Sequence, residues 1–293
     1  MSLFKGSGVA IVTPFNDDLS INYDRYVELL HFHLENSTDA IIVSGTTGES
    51  PTISDEEKLK LYKIAVEEVD GKIPVIAGTG SNDTAHAIHL SKKAEEIGID
   101  GLLLVTPYYN KSTQEGLVRH FTAIADEVNI PCILYNVPGR TGVNILPSTV
   151  AKLAEHKNIS AVKEASGNIS QIVEVARLIP DGFYLYSGND DHIVPLLSVG
   201  GHGVISVVAN IIPRETHDMV MAFLNGDIKK AAGLQLLTKP LIDSLFMEVN
   251  PIPVKTALNL MGMNVGSLRL PLIDMSEKGK AVLENEMKIL GLI

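Results

Sequence analysis

The sequence predicts an α/β protein: a (β/α)8 TIM barrel with a C-terminal helical extension. Three observations carry this. Short apolar runs alternate with longer amphipathic ones, as in strand–helix units. There are eight such pairs, the number that closes a barrel. The short runs are almost continuously apolar, as strands buried on both faces must be. An open doubly wound sheet is the alternative, but no GxGxxG or Walker A motif supports it.

The elements follow in order. "VAIVTPF" (9–15) reads as a strand, and 23–35 as a helix. "AIIVSG" (40–45) is a strand. Ser54 and Glu57 make a capping box that opens a helix to about Val69. "PVIAGTG" (74–80) leads to a helix from about Asp83 to Ile97, with Gly98 as its stop. "GLLLVTP" (101–107) precedes a helix over 113–128, and "PCILYNV" (131–137) one over 147–156. "ISAVKEA" (159–165) precedes 168–179, and "FYLYSG" (183–188) a short helix at 192–199. "GVISVVAN" (203–210) precedes 214–224. This gives a catalytic barrel over 1–225. Residues 226–293 lack a strand pattern and suggest three helices, near 227–248, 253–263 and 277–290.

Composition narrows the function classes. The chain has 293 residues, 45% of them hydrophobic, which is ample for a core and argues against disorder. Its formal net charge of −11, with no Lys/Arg cluster, argues against a nucleic-acid partner. The single cysteine, Cys132, lies in an apolar run, reads as a core residue and fits a reducing, cytoplasmic setting. No basic-then-apolar leader opens the sequence. Residues 192–213 lack Lys, Arg, Asp and Glu over a length that could span a membrane. Their glycines, prolines and histidines read better as a short helix, a turn and a buried strand, so no membrane partner is expected.

Barrel enzymes carry their chemistry at the C-terminal ends of the strands. The polar residues there are Thr13, Thr46, Thr47, Thr106, Tyr108, Tyr109, Tyr135, Asn136, Lys163, Glu164, Ser187, Asn189 and Ser206. The set is rich in hydroxyls and has one lysine. It has no histidine–carboxylate cluster, so no metal site is expected. His86 and His89, one helical turn apart, read as a solvated helix face. An Asn or Asp of "NDDH" (189–192), before a short helix, reads as its N-cap.

Lys163 is the unusual residue, because lysine is among the residues least often buried. Strand alternation puts Ala161, Lys163 and Ala165 on one face. A neutral lysine there can attack a ketone or aldehyde and form a Schiff base, and apolar burial disfavours its charged form. The alternative is a lysine held by a buried carboxylate. Tyr135 ends the preceding strand, where its phenol can relay protons, or simply close the core edge. Arg140 follows in "YNVPGRTG" and suits a carboxylate, or braces the loop. "SGTTGES" offers Thr46, Thr47 and open backbone N–H groups as a cradle for a carboxylate or oxyanion.

Taken together, "GTTGES" (45–50), "TPYYNK" (106–111), "YNVPGRTG" (135–142), "AVKEASG" (161–167), "YSGND" (186–190), "GVISV" (203–207) and "NPIPVKTALNLMG" (250–262) resemble the dihydrodipicolinate synthases, within the N-acetylneuraminate lyase superfamily. GxxGE and the strand-six lysine mark the superfamily; "YNVPGRTG" and "NPIPVK" point to the synthase branch. The resemblance implies condensation of pyruvate with L-aspartate 4-semialdehyde to 4-hydroxy-tetrahydrodipicolinate, in diaminopimelate and lysine biosynthesis. It implies no cofactor beyond a covalent imine of pyruvate on Lys163. Tyr135, Thr47 and Tyr109 would form a proton relay, with Tyr109 reaching in from a neighbouring subunit. Thr46 and Thr47 would hold the pyruvate carboxylate, Arg140 the semialdehyde's carboxylate, and Gly188 and Ile205 would line the pocket through their backbone. A homotetramer, as a dimer of dimers, is implied. So is weak inhibition by lysine or none, since Asp55, Lys58 and His86 stand where lysine-sensitive members carry other residues. A sister pyruvate-dependent aldolase would share Lys163, Tyr135 and GxxGE without needing Arg140. A catalytically silent binding relative would not need Lys163, Tyr135 and Thr47 together.

Overall fold

A computed structural model describes residues 3–293. Strand β1 (Gly6–Ala10) leads to α1 (Tyr23–Glu35), β2 (Ala40–Val43) to α2 (Asp55–Val69), β3 (Val75–Gly78) to α3 (Thr84–Ile97), and β4 (Gly101–Val105) to α4 (Gln114–Asp126). Strand β5 (Cys132–Asn136) is followed by the single turn α5 (Pro138–Thr141) and then α6 (Pro147–Leu153). β6 (Ile159–Glu164) leads to α7 (Ile169–Leu178), β7 (Tyr184–Ser187) to α8 (Ile193–Leu197), and β8 (Gly203–Ser206) to α9 (Pro213–Leu224). Each strand pairs with the next, and β8 pairs in parallel with β1, so the sheet closes into a barrel.

The local signals act as their chemistry requires. The Ser54 hydroxyl accepts from the Glu57 N–H while the Glu57 side chain accepts from the Ser54 N–H, which fixes the start of α2. Gly98 ends α3 at φ +99°, a conformation costly for any residue with a Cβ. Alternation along the strands then sorts side chains into two cores. Ile42, Ile76, Leu103, Ile133, Ala161, Tyr186 and Ile205 fill the barrel interior. Ile41, Ala77, Leu104, Leu134 and Val162 face the helices. Burial at Cys132 pushes its thiol up to about 12, so it behaves as an inert core residue.

Several expected boundaries shift. β1 begins at Gly6 and ends at Ala10, not over 9–15; after Ile11, whose N–H still donates to Ile42 O, the chain leaves the sheet for the helical extension, where the Phe15 N–H donates to Val265 O. β8 stops at Ser206, because the Asn210 side chain turns back to donate to Val207 O and Ala10 O and winds Val208–Asn210 into a 3-10 turn. The extension comprises α10 (Ile228–Phe246), α11 (Ile252–Leu260) and α12 (Glu277–Ile289), with α10 packed on α9 and α12. No described helix is long and apolar enough to cross a membrane.

Candidate active site

Lys163 is the penultimate residue of β6 and only 6% exposed. It pairs in register with Tyr135 of β5 and Tyr186 of β7; Lys163 and Tyr135 line the barrel mouth, whereas the Tyr186 hydroxyl turns to the other end of the barrel and donates to Phe4 O. Its Nζ lies 4.3 Å from the centre of the Tyr135 ring. Its neighbour Glu164 points the opposite way, toward the helices, where Asn136 Nδ2 (2.9 Å) and the Ser166 N–H (2.7 Å) donate to it. The strand period of two thus separates the amine from the adjacent carboxylate. Among the described residues no carboxylate pairs with Lys163, so the reading of a lysine held by a buried acid does not apply to it.

The amine faces a cavity of about 180 Å³ lined by Thr46, Thr47, Tyr135, Arg140, Gly188 and Asn250, among others. Gly188 is there for space. A Cβ at that position would lie 3.0 Å from Lys163 Cε and 2.7 Å from the Ala165 Cβ. Val207, not Ile205, reaches the cavity from the end of β8; Ile205 is fully buried in the barrel interior below it.

Thr46 and Thr47 sit in the loop that follows β2. Thr47 is buried, and its Oγ1 accepts from Asn250 Nδ2 at 3.1 Å. That leaves the threonine's own proton free to be donated. Arg140 projects from the α5 turn, is exposed, and donates from Nη2 to Asn250 O at 3.3 Å. Tyr109 stands apart: it is 93% exposed and holds φ at +67°, which is unusual for an aromatic residue. Within one chain it does not reach the cavity.

Sequence reasoning missed four residues that shape this mouth. Glu49 and Lys255 form an ion pair at 2.9 Å with both side chains 1% exposed. Glu49 also accepts from the Arg269 N–H, and Lys255 donates to Thr13 O, so the pair clamps the Thr46–Thr47 loop to α11. A lysine inside the apolar run "PIPVKTAL" was the available signal. Asn250 joins Thr47 to Arg140. Asp190, within "NDDH", is buried, and its Oδ2 accepts from the Val207 and Val208 N–H groups, fixing the wall beside Lys163. Burial raises its pKa, while hydrogen bonds from Ser206, Val208 and Val207 and the Lys163 charge oppose that shift. No side-chain cap bond opens either short helix here, so the expected N-cap is absent; Asp190 spends its carboxylate on the turn that follows β8 instead.

His86 is not on a free solvated face. Its Nε2 lies 2.8 Å from Asp55 Oδ2, in the wall of a neighbouring cavity of about 590 Å³ that Tyr135 and Arg140 also line. No cluster of three or more His, Cys, Asp or Glu able to hold a metal occurs among the described residues.

A 4-hydroxy-tetrahydrodipicolinate synthase of Caldicellulosiruptor bescii is 59% identical over 292 residues, covering 100% of this chain and 99% of that protein. The crystal structure of a dihydrodipicolinate synthase from Thermotoga maritima superposes with a TM-score of 0.98 at 46% identity, covering all of both chains. The Acinetobacter baumannii enzyme, solved in complex with pyruvate, superposes with a TM-score of 0.97 at 41% identity, also over both full chains. The Dihydrodipicolinate synthetase family matches residues 3–290, and the chain belongs to that family.

Proposed function

We infer that this chain is a 4-hydroxy-tetrahydrodipicolinate synthase, which condenses pyruvate with L-aspartate 4-semialdehyde in lysine biosynthesis. The observation that carries the mechanism is the buried amine of Lys163, without a carboxylate partner among the described residues, against the Tyr135 ring in a small cavity that Thr46, Thr47 and Arg140 also line. The amine attacks the pyruvate carbonyl carbon, and the carbonyl oxygen leaves as water once it has gained two protons. Loss of a proton from the methyl carbon turns the imine into an enamine. That carbon attacks the aldehyde, whose oxygen takes up a proton, and the semialdehyde's amine then attacks the imine carbon, closing the ring and releasing the Lys163 amine. No separate cofactor is needed, because the protonated imine is itself the electron sink. Tyr135 and Thr47 pass the protons, with Tyr109 completing the relay from a neighbouring subunit. Thr46 and Thr47 hold the pyruvate carboxylate, with Gly188 on the opposite wall, and the backbone at Ile205 supports the floor. A coupled assay with pyruvate and the semialdehyde, run beside one with N-acetylneuraminate, tests this. Turnover of the sugar acid alone would move the chain to the sister aldolases.

The reading divides the chain into a catalytic barrel, 1–225, and a helical extension, 226–293, that supplies Asn250 and Lys255 to the mouth. It also implies a cytoplasmic homotetramer assembled from dimers. The support is Tyr109, a nearly bare aromatic ring held in a strained conformation in the loop after β4. Mixing Tyr109→Phe with Lys163→Ala subunits should restore activity, because one site of each hybrid dimer contains neither change. Confirmed hybrids without activity would confine the relay to one chain.

Arg140 takes the semialdehyde's carboxylate in this reading. No acidic side chain pairs with it among the described residues, so its charge is available to a ligand. Arg140→Ala should cut kcat/KM for the semialdehyde at least tenfold, since a charged hydrogen bond contributes about 1.5–3 kcal/mol. The borohydride-trapped pyruvate adduct should persist. An unchanged response to the semialdehyde would remove Arg140 from the site.

Lysine should inhibit weakly or not at all. The adjoining cavity offers Asp55 as its acid, but His86 is bonded to it and Lys58 Nζ lies 3.8 Å away, so an incoming ammonium meets a carboxylate already engaged. Initial rates should hold as lysine is titrated into the millimolar range. Half-inhibition below about 1 mM, an affinity near 4 kcal/mol, would show that the pocket accepts lysine after all.

A further inference from the structure

The cavity that holds the Lys163 amine has two cationic side chains on its wall, Lys163 and Arg140, and neither an aspartate nor a glutamate. The chain as a whole carries a net charge of −11, so the absence of acids from this wall is not a matter of composition. Three carboxylates close by in sequence are all engaged elsewhere. Glu164, next to Lys163, accepts from Asn136 Nδ2 and the Ser166 N–H on the helix side of β6. Glu49, in the loop that carries Thr47, is paired with Lys255. Asp190, just past Gly188, accepts from the Val207 and Val208 N–H groups. Around the amine the wall is otherwise largely apolar, with Leu103, Val137 and Val207 each no more than 8% exposed.

A positive cavity without acids draws in a dianion more strongly than a monoanion such as pyruvate. We propose that the same site has a further activity, decarboxylation of a small β-keto dicarboxylic acid, of which oxaloacetate is the four-carbon case. The inference rests on the reading of Lys163 as the imine-forming amine. The amine attacks the keto carbon of oxaloacetate, and the keto oxygen leaves as water. The protonated imine then stands β to the second carboxylate. The bond from the methylene carbon to that carboxylate breaks, its electron pair flows toward the imine nitrogen, and CO2 leaves. What remains is the enamine that pyruvate forms by losing a methyl proton. A proton adds to its carbon and water hydrolyses the imine, so oxaloacetate and one proton become pyruvate and CO2. Thr46 and Thr47 hold the carboxylate beside the keto group, as they do for pyruvate. Arg140 attracts the second carboxylate from the mouth. The apolar wall then favours its departure, because burial there penalises a carboxylate and not neutral CO2.

The test supplies oxaloacetate without pyruvate, in the presence of a chelator that suppresses decarboxylation by stray metal ions, and follows CO2 release. The rate should exceed that of buffer at least about tenfold, and Lys163→Ala should return it to the buffer rate. Quenching with borohydride should leave an adduct of pyruvate mass on the Lys163 peptide, although only oxaloacetate was added. Arg140→Ala should raise the half-saturating concentration of oxaloacetate at least about tenfold and that of pyruvate, measured by adduct trapping, less than about threefold. A general loosening of the mouth would move both acids alike, and equal changes would remove Arg140 from this activity. CO2 release no faster in the parent than in Lys163→Ala, or a trapped adduct that keeps both carboxylates, would overturn the proposal. If pyruvate itself is not trapped on Lys163, the imine assignment beneath the proposal fails, which is a separate result.

Discussion

Lys163→Ala should lose turnover by about 10³-fold or more, ~4 kcal/mol of barrier, and yet fold at least as stably as the parent. The first half follows from chemistry: no other amine lines the cavity except the guanidinium of Arg140, which stays protonated and cannot attack a carbonyl. The second half follows from burial. Lys163 is 6% exposed, and its Nζ has an aromatic ring 4.3 Å away but no carboxylate partner. A buried polar group without a full set of partners opposes folding, and the ring contact returns only about 0.5–2 kcal/mol. Removing the amine should therefore leave the melting temperature unchanged or raise it, as at other sites where function opposes stability. Incubation with pyruvate and borohydride, followed by peptide mapping, should label Lys163 in the parent and nothing in the variant. A label on another residue would remove the nucleophile assignment. A clear drop in melting temperature would show that the lysine helps hold the barrel together.

The other buried lysine should behave in the opposite way. Lys255→Met should lower stability by about 3–5 kcal/mol, because it strands the Glu49 carboxylate in a site with 1% exposure. For a chain of this size that is roughly 6–10 °C in melting temperature. Glu49→Gln should cost less, since the amide can still hydrogen-bond, but it leaves the Lys255 ammonium uncompensated. Burial drives the Lys255 pKa down, and Glu49 is the largest influence opposing that. The double variant should recover part of the loss of Lys255→Met, because neither charge is then stranded. Activity should fall in all three, since the pair fixes the loop that carries Thr46 and Thr47. Thermal unfolding beside kcat/KM measures both. A single variant within about 1 kcal/mol of the parent would show that the loop is held by its other bonds, such as the Thr13 hydroxyl donating to Gly48 O.

These two lysines also mark how far the sequence could be read. Lys163 was legible because its evidence is local. An amine near the end of an apolar strand violates the usual burial preference, a period of two sets the face it shares with Ala161 and Ala165, and barrel architecture places strand ends at the active site. Tyr135 followed from strand order alone, since β5 must neighbour β6. The eight strands and their helices were legible for the same reason: burial on both faces and caps such as Ser54 and Gly98 are written in consecutive residues.

What the tertiary structure decided is long-range. Glu49 and Lys255 meet across 206 positions, and Asn250 meets Thr47 across 203. Nothing in either local segment fixes such a contact, because it exists only after β8 has paired with β1 and the extension has folded back over the mouth. The strand ends at Ala10 and Ser206 moved for the same reason, as Asn210 captures Ala10 O and Val207 O. Closure also set depth: it left Ile205 beneath the floor with Val207 on the wall. The sequence by itself determined the barrel and the place of a buried lysine near the end of β6, since periodicity and burial are local properties of the chain. The company that amine keeps was decided by folding, because hydrogen-bond partners hundreds of residues apart are chosen by geometry that no short window of sequence contains.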